Sequence, residues 1–157
     1  MHLSTRVSAT LAAVAVAGGA AVAVAVGPAG SAVGQSSPPL QASIQVSSPA
    51  TLVARGAGVD VLVTIQCSAG TLGNINLNLT ERVGSDVATG FGGASGVDCT
   101  NATQTLQLLV TPGGGFGNTN NKAFKRGTAI AQASIEACTP DFSECVDSST
   151  DSTISIK

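Results

Sequence analysis

Residues 59–67 read Val-Asp-Val-Leu-Val-Thr-Ile-Gln-Cys, and this stretch decides the fold. Val59, Val61, Val63, Ile65 and Cys67 are apolar, Asp60, Thr64 and Gln66 are polar, and Leu62 is the one exception. A period of two sends successive side chains to opposite faces of a strand, so this is a strand with one dry and one wet face. The pattern recurs on the C-terminal side. Ile75, Leu77 and Leu79 alternate with Asn74, Asn76, Asn78 and Thr80. Leu106, Leu108 and Val110 alternate with Thr105, Gln107 and Thr111, and Ala129, Ala131, Ala133, Ile135 and Ala137 alternate with Thr128, Gln132, Ser134 and Glu136. Ile44 and Val46 mark a first strand, Ile154 and Ile156 a last one, and residues 52–53 and 97–99 offer shorter pieces.

No window beyond the first 34 residues repeats apolar side chains at i, i+3, i+4 and i+7, so no amphipathic helix is expected. Short strands about ten residues apart, separated by Gly, Pro, Asn and Ser, describe an all-β fold. The expectation is an immunoglobulin-like antiparallel β-sandwich of about seven strands. Two Gly-rich stretches, 84–96 and 112–127, read as its long connections; loops above about 12 residues in a compact domain are functional or disordered.

The first 34 residues have another character. Arg6 precedes an apolar run over 11–26, Gly27-Pro28 break it, and Ala32 and Gly34 offer small residues before a cut. That is the layout of a secretory signal, and the run is shorter than the roughly 20 residues of a spanning helix. The expected organisation is a signal peptide at 1–34, a flexible Ser/Pro-rich lead-in at 35–40 and the sandwich at 41–157. The product would be secreted or associated with the cell envelope, with no stable membrane insertion after cleavage.

Removing the signal sharpens the composition. The chain has one His (His2), one Met (Met1), no Trp and no Tyr, so the domain beyond residue 34 has none of the four. Ser-His-Asp and Cys-His nucleophile pairs, imidazole metal ligands and histidine proton shuttles are excluded. Without Arg6, six basic and nine acidic groups give that domain a net charge of −3, which disfavours nucleic acid as a partner. No catalytic residue and no cofactor are expected.

Four cysteines in a short exported chain imply two disulfides, for which three pairings exist. Cys67 ends the strongest strand, Cys99 precedes another, and Cys138 and Cys145 bracket six residues. We favour the sequential pairing 67–99 and 138–145. In the chain-entropy picture these loops contribute about 3.7 and 2.5 kcal/mol. Redox or metal-binding cysteines would need CxxC spacing or a neighbouring His, and neither is present.

The valine-rich strand ending VTIQCSAG, the element VDCTNATQTLQLLV, then GTAIAQASIEAC and the terminal STISI resemble the small secreted immunoglobulin-like proteins of actinobacteria, whose functions are undefined. More distantly the chain resembles the neocarzinostatin-type apoproteins, acidic exported sandwiches with two sequential disulfides. That second resemblance implies a carrier of a small apolar ligand held between Gly-rich loops.

Other candidate sites come from the residues themselves. Lys122, Lys125 and Arg126 around Phe124, with Phe116 in the same segment, form a possible binding loop suited to an anionic surface. Asp141, Glu144, Asp147 and Asp151 are a weak calcium candidate, since they lack the ordered spacing of a calcium loop. Residues 139–144, closed by a disulfide, have the form of a recognition loop such as a protease inhibitor presents. The glycosylation pattern occurs at Asn78 and Asn101. The reading that results is a secreted, non-enzymatic β-sandwich that binds an extracellular protein or envelope component, or serves structurally. Its alternatives are a carrier of a small apolar ligand or a protease inhibitor.

Overall fold

The structure, a computed structural model, describes residues 38–113 and 122–157. The chain divides into two units, Met1–Ser36 and Ser37–Lys157, and the described residues all belong to the second. The expected signal peptide and Phe116 lie outside the described residues.

Eight strands succeed one another along the chain: β1 (Ala42–Val46), β2 (Thr51–Val53), β3 (Gly58–Cys67), β4 (Leu72–Val83), β5 (Asp86–Asp98), β6 (Gln104–Pro112), β7 (Gly127–Cys138) and β8 (Cys145–Ile156). Their pairings are antiparallel, in the order β1-β3-β6-β5-β4-β7-β8, with β2 also on β3. One layer holds β1, β2, β3 and β6, and the other holds β5, β4, β7 and β8. The fold is an immunoglobulin-like antiparallel sandwich with two disulfides, as the alternation implied.

The layers are joined at two corners. Thr111 and Pro112 of β6 leave the first layer to pair with Phe91 and Gly90 of β5. At the other corner the segment around β2 is shared. Thr51–Val53 pairs with β3, while the Ala50 N–H donates to the Ser155 carbonyl at 2.8 Å and the Leu52 N–H donates to the Lys157 carbonyl at 2.9 Å. The Lys157 N–H returns a bond to the Ala50 carbonyl at 3.0 Å. The sheet is therefore nearly closed on itself, which leaves few unpaired edges.

The inward rows meet between the layers. Val59, Val61, Val63 and Ile65 of β3 are buried, as are Ile75, Leu77 and Leu79 of β4 and Ala129, Ala131, Ala133, Ile135 and Ala137 of β7. Leu62, the exception to the β3 pattern, sits on the outer face and is exposed.

Two expectations need correction. Residues 84–96 are not a long connection: Gly84 and Ser85 make a tight turn, and the remainder belongs to the 13-residue β5. The glycines there serve close approach. A Cβ on Gly90 would lie 2.7 Å from the Phe124 ring, and one on Gly92 would lie 2.6 Å from the Leu109 carbonyl oxygen, so only glycine lets β5 come this near to β6 and Phe124. The last strand is also longer than Ile154 and Ile156 suggested. β8 begins at Cys145 and pairs with β7 along its whole length. Its inward positions Ser148, Thr150 and Ser152 are only half-buried, which is why they tolerate hydroxyls.

Candidate functional site

The strand register places both disulfides at one end of the sandwich. Leu72 faces Asp98 on one side and Cys138 on the other, and Ala42 faces Cys67. The sequential pairing is the one found, Cys67–Cys99 and Cys138–Cys145, with no free cysteine. Cys67–Cys99 ties the end of β3 in one layer to the end of β5 in the other, with both residues buried. The turn beyond it is held to β3: the Asn101 N–H donates to the Cys67 carbonyl at 3.0 Å, and Asn101 Oδ1 accepts from the Ala69 N–H at 2.9 Å.

Cys138–Cys145 joins directly opposed residues of the β7–β8 hairpin. Beyond it the six-residue tip is ordered by its own hydrogen bonds. The Thr139 N–H donates to the Glu144 carbonyl and the Phe142 N–H to the Thr139 carbonyl, at 2.9 and 2.8 Å. Asp141 Oδ1 accepts from the Ser143 hydroxyl at 2.9 Å and from the Ser143 N–H at 3.2 Å. Hydrogen bonds from the Thr139 side chain, and then from Ser143, favour the charged carboxylate and lower the Asp141 pKa from 3.8 to about 2. This self-contained turn holds Phe142 at φ 56°, with 69% of its surface exposed. Phe142 is a left-handed turn residue, so the tip presents a bent rather than an extended segment.

The basic segment lies at the opposite end, beside the start of β7. Its members diverge. Phe124 is 1% exposed and belongs to the core, and its N–H donates to the Gly56 carbonyl at 3.1 Å. Lys122 pairs with Asp86 at 2.9 Å on the surface. Lys125 and Arg126 are exposed, so these two, rather than the aromatic between them, face solvent.

Glu81 is the residue that the sequence reading overlooked. It continues the inward row Ile75, Leu77, Leu79 by parity and is 2% exposed. Its Oε2 accepts the Lys125 N–H at 2.8 Å, which fixes the basic segment from below. Counting by twos along β4 would have found it.

The acidic candidates do not converge. Asp141 is engaged within its own turn, while Asp147 and Asp151 point outward from β8 four residues, or about 13 Å, apart. Among the described residues the one group with ligand atoms close enough for a metal is Glu136, Cys138 and Cys145. Its two sulfurs are spent in a disulfide, so no thiolate is present to bind. A cavity of about 260 Å³ lies against β4 and β5, lined by Asn74, Asn76, Phe91 and Ser95 among others, below the range usual for small-molecule sites. Asn78 is exposed on the outer face of β4.

No known protein family matches the chain, and no curated protein matches it. Among solved structures it is similar to AggA, the major subunit of aggregative adherence fimbriae type I from Escherichia coli. The identity is 14% over 78% of this chain and 97% of that one, with a TM-score of 0.39. At that level the likeness carries no argument about what the chain does.

Proposed function

We propose that the chain is a non-catalytic structural or binding module that works outside the cytoplasm, in the extracellular space or at the cell envelope. The observation that carries this reading is the pair of disulfides. All four cysteines are consumed in bonds, a state that persists in oxidising compartments and is lost where thioredoxin and glutathione act. The interior supports a scaffold rather than a container. Apolar rows fill the space between the layers, so an apolar cargo would have to displace Val61, Leu77 or Phe124. The outward positions carry mostly Asn, Gln, Thr and Ser, such as Asn74, Asn76, Asn78, Gln107 and Gln132. Function therefore rests on the outer surface and the two ends.

The test is to express the full-length sequence in a secreting bacterium and fractionate the culture. The expected protein is found outside the cytoplasm, reacts with no thiol reagent until reduced, and gains four hydrogens on reduction. A cytoplasmic protein with reactive thiols would overturn the reading.

A further inference from the structure

We propose that this chain assembles head to tail with further copies of itself, the stapled end of one molecule docking on the basic end of the next. The proposal deepens the reading of the chain as a structural module, and rests on it. It starts from the placement of charge. Arg55, Arg82, Lys122, Lys125, Arg126 and Lys157, every basic side chain beyond residue 34, lie at one end of the sandwich. Of the three carboxylates near them, Glu81 is buried and Asp86 is paired with Lys122, leaving Asp60. The opposite end carries Asp98, Glu136, Asp141, Glu144 and Asp147 and no cation; Asp151 is midway along β8.

The two ends stand apart by the length of β7, 12 residues or about 40 Å. Screening in physiological salt acts over about 8 Å, so neither end neutralises the other within one molecule and each keeps its own sign. A second copy supplies the complement for both. The acidic end is also arranged at a cost to the hairpin. Glu136 and Asp147 face each other directly across β7 and β8, where like charges are unfavourable and an opposite charge would serve stability better.

Apolar surface matches the charge. Phe142 projects from the acidic end on a turn stiffened by Cys138–Cys145 and the Asp141 bonds. Toward the basic end, Val87 and Ile130 are 42% and 52% exposed on the outer face near Arg82. An aromatic ring set against aliphatic side chains and a guanidinium gains both apolar burial and cation–π attraction. Because the two docking surfaces differ, the contact is heterologous and propagates into chains or rings rather than stopping at a dimer.

Sedimentation velocity on the oxidised protein purified after full-length expression tests this. Species larger than a monomer are expected to grow with concentration in about 0.02 M salt and to dissolve in about 0.5 M salt. Phe142→Ser should weaken association about tenfold. Two variants decide the geometry: Lys125→Glu with Arg126→Glu removes the positive balance of the basic end, and Glu136→Lys with Glu144→Lys removes most of the negative balance of the acidic end, so that neither altered end is positive. Both leave the core untouched, and matching melting curves by circular dichroism confirm that they fold. Each alone should stay monomeric, whereas an equimolar mixture should give a one-to-one complex through the surviving ends. A monomer at every concentration in low salt overturns the proposal, as does association indifferent to salt or to both pairs of substitutions. Symmetric pairing along the free edge of β8 would appear as dimers of each variant alone, which also overturns it. Cytoplasmic retention with free thiols would sink the extracellular reading and leave this outcome standing.

Discussion

The two ends of the sandwich are closed by different physics. At the acidic end two covalent bridges do the work, one across the layers and one within a hairpin. At the basic end there is no bridge. Phe124 is buried against β5, Glu81 accepts the Lys125 N–H, and Ala50 and Leu52 are hydrogen-bonded to Ser155 and Lys157. The first kind of closure constrains the unfolded chain; the second depends on burial and polar satisfaction in the folded one. Reducing conditions and core substitutions should therefore weaken opposite ends.

The largest expected effect breaks the basic end. Phe124→Ala should cost about 4 kcal/mol in urea unfolding, because it removes a fully buried ring and leaves a cavity beside Gly90. A loss below about 1 kcal/mol would show that the end is not held by burial. Next comes the bridge between layers. Cys67→Ala with Cys99→Ala should cost about 3.7 kcal/mol, and Cys138→Ala with Cys145→Ala about 2.5 kcal/mol, a difference set by loop length. If the hairpin bridge proves the more costly to lose, the loop-closure account of the acidic end is wrong. Glu81→Met keeps the volume but leaves the Lys125 N–H without its acceptor, and should cost about 1–2 kcal/mol. Hydrogen exchange at Lys125 should rise with it.

The smallest effect concerns the tip. The Asp141 carboxylate titrates low, so its turn bonds favour the folded tip above the ordinary carboxylate range and are lost as pH falls through about 2. An NMR titration should place its midpoint near that value rather than at 3.8. Asp141→Asn should remove the pH response of the tip without altering the acidic-end bridge. A normal midpoint would show that Thr139 and Ser143 do not hold the carboxylate in solution.

The contrast between the ends also explains what could be read from the sequence. Cysteines announce themselves, and their positions at strand ends favoured the pairing that the structure contains. The inward rows of β3, β4 and β7 were legible because their alternation is nearly unbroken. β5 was not, because its glycines carry no side chain to alternate; they are there for the sake of β6 and Phe124, which are distant in sequence. β8 was half legible, since full-length pairing with β7 makes it a strand while three inward hydroxyls hide the period. At the basic end the fold settles which way the segment faces: Phe124 points inward and the cations outward. The charge separation behind the self-assembly proposal was invisible in the sequence. Arg55, Arg82 and Lys157 are scattered along the chain and are gathered only by strand register.

The seam formed by Ala50 and Leu52 with Ser155 and Lys157 has a temporal meaning as well as a spatial one. It joins positions more than a hundred residues apart, so the sandwich cannot shut until residues 155–157 are in place. Up to that moment one corner stands open, however well the earlier strands have paired. A polypeptide cut short before Ile154 would therefore lack the strand end that locks the two layers together.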